Sequence, residues 1–152
     1  CLRDCIQRCV LAGCPVVDLK ATLVDGSYHG VDSSEMAFKV AAGLADKAGM
    51  AAANPILLEP IGNLKVLIPD TQMGDIISDV NKRRGRILGM NPVNGLQQVG
   101  AEDPMAEMAS YAVDLRSMTQ GRGSFTLEFV RYEETPPNVA QKVIEEAVKD
   151  EE

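Results

Sequence analysis

Apolar and polar positions recur with regular spacing through residues 55–134 of the chain. The pattern predicts, in order, a strand, a helix, two strands around the turn NPVNG, a second helix and a closing strand. These elements are expected over residues 56–69, 71–85, 86–90, 96–103, 104–119 and 124–132. The order βαββαβ is that of the ferredoxin-like unit, so we predict an α+β fold in which an antiparallel four-stranded sheet carries two helices on one face.

The pattern is less complete before residue 55. Apolar and cysteine positions at helical spacing predict a helix over residues 2–13, and strict alternation predicts a strand over residues 15–24. A lone strand has no partner for its backbone groups. Residues 1–54 are therefore expected to be part of something larger, because either the chain is cropped from a longer parent or this section packs against the residues after it.

A long helix is predicted after the turn DGSYHG. Asp32 is the expected N-cap, because Glu35 stands three residues later, and Val31 and Met36 have the spacing of a hydrophobic staple. The helix should end near Gly49.

A further amphipathic helix is predicted over residues 137–148. We therefore divide the chain into residues 1–54, a ferredoxin-like domain of residues 55–134, and a C-terminal helix with an acidic tail at residues 135–152.

The formal net charge of −7 argues against a general nucleic-acid coat protein, because nonspecific affinity comes from phosphate neutralisation. Most of the excess acid lies from Glu133 onward, so a local basic patch is compatible with the total, and NKRRGR at residues 81–86 supplies one. The sequence has no apolar run of membrane-spanning length and no signal peptide pattern, so we expect a cytoplasmic protein without a membrane partner.

Two groups of residues raise the question of chemistry. All four cysteines, Cys1, Cys5, Cys9 and Cys14, lie in the first fourteen residues, and the first three have helical spacing. This arrangement suits either a metal or iron–sulfur site or reduced, half-buried helix cysteines; no paired C-x-x-C is present. The single histidine, His29, lies on a turn near Asp25 and Asp32. The neighbouring serines are better explained as turn and cap residues than as nucleophiles, so no catalytic residue is predicted.

Several long motifs are specific. PVVDLKATLVDGSYHGVDSSEMAFK, MGDIISDVNKRRGRILGM, MAEMASYAVDLRSMTQGRGSFTLEF and RYEETPPNVAQKVIEE resemble, in this order, the C-terminal part of bacterial translation elongation factor G. The resemblance implies that residues 1–54 are the second half of its fourth domain, which has a ribosomal-protein-S5-like fold, and that residues 55–134 are its fifth domain. It further implies a fragment with no enzymatic activity or cofactor of its own, since GTP and Mg²⁺ belong to the GTPase domain of the parent.

The resemblance also implies which residues contact the ribosome. Gly26, Ser27, Tyr28 and His29 would form part of the tip that meets tRNA and mRNA at the decoding site of the small subunit. Lys82, Arg83, Arg84 and Arg86 would contact large-subunit RNA near the base of the stalk; the alternative for them is a solvated helix end, where bases suit the macrodipole.

Some positions depart from the family pattern, most clearly Asp46, Gly100 and Asp103. A buried unpaired carboxylate is costly, so the two aspartates are expected to be either exposed or destabilising.

The leading functional hypothesis is thus a ribosome-binding part of elongation factor G that promotes tRNA–mRNA translocation in protein synthesis. Two hypotheses from other classes stand beside it: a ferredoxin-like module that senses a small molecule such as an amino acid, and a cysteine-ligated metal protein.

Overall fold

The computed structural model describes residues 2–8 and 10–150. The helices are α1 (Leu2–Cys5), α2 (Glu35–Ala52), α3 (Met73–Lys82), α4 (Tyr111–Met118) and α5 (Pro137–Asp150), and the strands are β1 (Leu58–Ile68), β2 (Arg86–Val93), β3 (Leu96–Pro104) and β4 (Ser124–Glu134). The chain forms two compact units. We call Leu58–Glu134 the sheet unit, and the described residues up to 57 and from 135 the terminal unit.

The sheet unit has the predicted ferredoxin-like architecture. Its four strands lie in the order β2-β3-β1-β4, and all three neighbouring pairs are antiparallel. Asn94 and Gly95 join β2 to β3 with positive φ values of 50° and 80°, which suit a two-residue turn between antiparallel strands. The predicted α+β class and the two-layer fold are confirmed.

One face of this sheet and the two helices above it enclose an aliphatic core. Its buried members are Leu64, Val66, Ile68, Ile76, Val80, Val99, Ala101, Met108, Tyr111 and Leu115. In α4 Tyr111 is buried, whereas Ala112, at helical spacing from Met105 and Met108, is exposed. The reason is that this helix starts as a 3₁₀ turn, Met105–Met108, which rotates the later residues away from a continuous α-helical stripe.

In the terminal unit, two predicted elements are wrong. The helix expected over residues 2–13 is only the four-residue α1, followed by turns, and residues 15–24 belong to no strand. Asp18 has a positive φ of 56°, which interrupts an extended backbone, and no strand among the described residues pairs with this segment; its one backbone bond there is from the Val16 N–H to the Ile6 carbonyl. Its apolar residues Val17 and Leu23 are consequently exposed.

The start of α2 also differs from the prediction. Ser34, not Asp32, is the N-cap: its backbone is extended and its Oγ accepts a hydrogen bond of 3.1 Å from the Ala37 N–H. Val31 is exposed, so no hydrophobic staple forms. The helix continues past Gly49 to Ala52, because the Ala53 N–H still donates to the Gly49 carbonyl.

Candidate functional site

The turn before α2 is closed by a pair of hydrogen bonds. The His29 backbone N–H donates to Ser33 Oγ over 2.8 Å, and the Ser33 N–H donates back to the His29 carbonyl over 2.9 Å. The Gly26 N–H donates to Asp25 Oδ1 over 2.7 Å. The His29–Ser33 pair connects the loop of Gly26, Ser27, Tyr28 and His29 to the turn before α2, so the C-terminal end of the loop is anchored, whereas the Gly26–Asp25 bond is local to the other end.

The rings on this loop point into solvent. Tyr28 is 74% exposed and the His29 side chain 78% exposed. His29 Nδ1 lies 3.5 Å from Asp32 Oδ2, and that carboxylate is exposed as well. Ser33 uses its hydroxyl to accept from the His29 backbone, not from the imidazole. The loop therefore offers a stacking surface and hydrogen-bonding groups to a large ligand, rather than an enclosed nucleophile and base.

Arg83, in the basic run, is a bridge inside the sheet unit. Its guanidinium donates to Asp79 Oδ2 over 2.8 Å, to the Glu107 carbonyl over 2.7 Å and to Asp114 Oδ2 over 2.5 Å. The same group lies 5.2 Å from the centre of the Tyr111 ring. The side chain is only 13% exposed, so Arg83 joins α3, the 3₁₀ turn and α4 instead of projecting outward.

Arg84 also forms its ion pairs inside the sheet unit. Its two terminal nitrogens donate to Glu59 Oε1 and Oε2 over 2.9 Å and 2.8 Å, and its Nε lies 3.3 Å from Glu107 Oε1. The hydrogen bonds to Glu59 raise the pKa of the Arg84 guanidinium. A two-pronged pair of this kind fixes the plane of the guanidinium and leaves little freedom to reach a phosphate.

The two remaining cations of the run face solvent. Arg86 Nη2 donates to Glu102 Oε2 over 2.6 Å, yet the Arg86 side chain is 71% exposed. Lys82 is exposed and has no ion pair with any residue that the structure describes. The geometry thus separates the four predicted contact residues into two inner and two outer cations.

Glu102 on β3 links to the adjacent strand β2 and, across β1, to the edge strand β4. It accepts two hydrogen bonds from Arg131 on β4, of 2.9 Å and 2.8 Å, and one from Arg86 on β2. The hydrogen bonds from Arg131, then those from Arg86, lower the pKa of this carboxyl to about 2.

Asp103 is fully buried, in the row of β3 that faces the helices. Neither of its carboxyl oxygens has a hydrogen-bond partner within the described residues. Burial raises the pKa of Asp103 to about 6; the nearby Arg83 opposes this rise and Asp79 adds to it. Gly85 leaves room for the carboxyl group, since a Cβ there would overlap with Asp103 Oδ1. Of the two outcomes expected for Asp103, exposure is therefore wrong. Asp46 is half-buried in α2.

The cysteine hypothesis falls partly outside the described residues, which omit Cys1 and Cys9. Cys5 is half-buried and Cys14 exposed, both as free thiols. No group of three or more metal-ligating side chains occurs among the residues that are described. Within the same residues, none of the helices is long and apolar enough to cross a membrane.

Comparison with known proteins gives consistent results along the chain. The family model "Elongation factor G, domain IV" matches residues 1–54, and "Elongation factor G C-terminus" matches residues 56–143. A crystal structure from Thermus thermophilus is 49% identical in sequence and superimposes with a TM-score of 0.83, over 97% of this chain. The match covers 22% of the Thermus chain, so this chain spans less than a quarter of its length.

Proposed function

Because the chain belongs to the elongation factor G family, through that factor's domain IV and C-terminus, we propose that it is the ribosome-contacting part that promotes tRNA–mRNA translocation. The observation that carries the proposal is the presence of both domains in order over residues 1–54 and 56–143. Neither matched domain is the GTPase domain. We propose accordingly that these residues act as a non-catalytic lever, which needs no cofactor and is coupled to GTP hydrolysis by another domain of the parent.

The first proposed contact is the loop Gly26–His29, which would meet the mRNA–tRNA helix at the decoding site of the small subunit. Its support is the exposure of Tyr28 and His29 together with the hydrogen bonds that anchor the loop at Ser33. A tyrosine face can stack on a base or sugar, and an imidazole N–H can donate to a phosphate or a 2′-hydroxyl. This role requires positioning and no acid–base chemistry.

The second proposed contact is with large-subunit ribosomal RNA near the stalk base, through the outer cations Lys82 and Arg86. Arg83 and Arg84 contribute by holding the loop in shape, since their donors are used by Asp79, Glu107, Asp114 and Glu59. Phosphate contacts of this kind orient a protein on RNA without reading its sequence.

Co-sedimentation of the chain with bacterial ribosomes across a salt series tests the proposal. We expect binding that weakens as salt rises and that full-length elongation factor G displaces. The double variant Lys82→Gln/Arg86→Gln should weaken binding and flatten its salt dependence, while Lys65→Gln, which removes an exposed lysine on β1, is the matched control. Failure to bind at low salt, or binding that the full factor does not displace, would contradict the proposal.

A second experiment addresses the tip. His29→Ala in the full-length parent should slow translocation with little change in GTP hydrolysis, and Lys47→Gln, an exposed position in α2, is the control. An unchanged rate of translocation would count against the role proposed for His29.

A further inference from the structure

One backbone edge of the segment over residues 15–24 is uncovered in the terminal unit. The one backbone hydrogen bond of this segment runs from the Val16 N–H to the Ile6 carbonyl, over 2.8 Å. In an extended strand the backbone groups of alternate residues point to the same side, so the Val16 bond occupies one side only. The opposite side carries the groups that make no backbone hydrogen bond within residues 2–8 and 10–150, those of Val17, Leu19 and Ala21.

The side chains of the same segment form an apolar row and a charged row. Val17 is 56% exposed, Leu19 46% and Leu23 87%. Asp18 and Lys20 alternate with them, are exposed, and have no ion pair with any residue in the described part of the chain. A monomeric protein seldom leaves an apolar row of this length in solvent, so the row indicates a contact surface.

The segment is complementary to a second copy of itself. Antiparallel pairing centred on Leu19 places Val17 opposite Ala21, and Asp18 of each copy opposite Lys20 of the other. Centring the pair on Asp18 or on Lys20 instead sets like charges opposite each other, which is destabilising. Centring it on Val17 or Ala21 leaves both charges without an opposite charge, and a shift by one residue sets the apolar row against the charged row. Charge and apolar pattern therefore select a single register.

The backbone of the segment fits this register. When the two Leu19 residues exchange both backbone hydrogen bonds, Asp18 and Lys20 form the closer, non-hydrogen-bonded pairs. The Val16 N–H then points away from the second copy and keeps its bond to Ile6. Asp18 has a φ of 56° in the single chain, a region that L residues adopt at a cost, and pairing returns it to the extended region.

We propose that two copies of this chain form a two-fold dimer in which residues 16–22 pair as antiparallel strands about Leu19, with Asp18 of each copy opposite Lys20 of the other. A two-stranded ribbon alone is marginally stable, so its apolar row needs a cover. An exposed apolar stripe of α2 in the same unit supplies one, formed by Met36, Val40 and Leu44. The inference does not rest on the proposed ribosomal contacts, because none of these residues takes part in them.

The test is analytical ultracentrifugation of the full chain over a concentration series, under reducing conditions that exclude disulfide-linked dimers. We expect a reversible dimer whose fraction grows with concentration, and hydrogen exchange at the Leu19 amide that slows in parallel. Asp18→Lys should weaken the dimer about tenfold at low salt, because it turns two attractive cross-strand pairs into two repulsive ones. Glu146→Lys is the matched control, since it makes the same change of charge at an exposed position of α5.

A mixing experiment tests the register itself. Lys20→Asp should weaken the dimer as Asp18→Lys does, but an equimolar mixture of the two variants should associate more tightly than either alone, because every cross-strand pair in the mixed dimer then joins opposite charges.

Each of several results would overturn the inference. These are a chain that stays monomeric in the most concentrated sample, a dimer that Asp18→Lys leaves unchanged, and a mixture of the two variants that associates no better than either variant alone. Slow exchange at the Leu19 amide that is independent of concentration would assign this backbone edge to another segment of the same chain.

Discussion

Replacing Asp103 with valine removes a buried carboxyl group whose oxygens have no partner among the described residues. The side chain lies in the same row of β3 as the buried Val99 and Ala101, so an apolar group of similar size suits the site. Burial raises the pKa of Asp103 from its ordinary 3.8 to about 6 in the folded state. The folded protein therefore holds a proton at this site in a pH range where the unfolded chain has released it.

The sign and size of the effect follow from this difference. Below about pH 4 the carboxyl is neutral in both the folded and the unfolded state, so it contributes no pH dependence to stability. Between about pH 4 and pH 6 the unfolded chain ionises more readily than the folded protein, so the free energy of unfolding falls. Each pKa unit corresponds to about 1.4 kcal/mol, so the full penalty above pH 6 is about 3 kcal/mol. At pH 8 the Asp103→Val variant should thus be more stable than the parent chain by about 3 kcal/mol.

Urea unfolding, followed through the Tyr111 ring resonances, measures this quantity for the sheet unit, because Tyr111 is buried there against Phe125. The informative result is the difference in unfolding free energy between variant and parent, which should grow from pH 4 to pH 6 and then stay constant. Asp103→Asn is the control for charge, since it keeps the shape and a polar group but does not titrate. A difference that is flat from pH 4 to pH 8, or a valine variant that is less stable at pH 8, would refute the reasoning.

Three further predictions concern other contacts, two in the sheet unit and one in α2. The ionised Glu102 contributes stability that is complete above the ordinary carboxyl pKa of 4.5 and is lost as the pH falls toward about 2. Glu102→Gln removes this contribution, so acid unfolding of the variant should begin at a higher pH than that of the parent chain. Gly85→Ala should destabilise the sheet unit by about 1–3 kcal/mol, because its Cβ meets both the Asp103 carboxyl group and the buried Val80 side chain. Asp103→Ala in the same chain should restore only the part of the loss that comes from the carboxyl group, as measured by urea unfolding. Ser34→Ala should cost the α2 helix about 1 kcal/mol in a helix-resolved hydrogen-exchange experiment, whereas Asp32→Ala should not.

How far the sequence predicts the structure depends on where the partners of each segment lie. In the sheet unit all four strands, and therefore the neighbours of each strand, lie within the periodic part of the sequence. Leu64 and Val66, two residues apart on β1, and Val99 on β3 are buried, as expected for one face of a sheet. The turn Asn94-Gly95 marks the hairpin directly. In the terminal unit the alternation over residues 15–24 predicted a strand that does not form, because alternation states which face is apolar but supplies no neighbouring strand.

The N-cap of α2 shows a second limit, since Asp32, Ser33 and Ser34 are all residue types that cap helices. The spacing to Glu35 favoured Asp32. The structure uses Ser34 as the cap and Ser33 to close the turn at His29, a division that depends on backbone angles and not on residue type.

The basic run shows the same limit for function. From sequence, the four cations of NKRRGR form one patch. Of the acids that neutralise Arg83 and Arg84, only Asp79 is close in the chain, whereas Glu59, Glu107 and Asp114 lie far away. Only folding brings them together, so the field that an RNA meets at this loop is that of Lys82 and, in part, Arg86. Each phosphate contact contributes a slope of about 0.7–0.9 in the logarithmic salt dependence of binding. Lys82→Gln should therefore lower that slope by about one contact, whereas Arg84→Gln should act mainly through stability, by leaving the buried Glu59 without its partner. If Arg84→Gln lowered the slope as much as Lys82→Gln in a variant of unchanged stability, the division into inner and outer cations would be wrong.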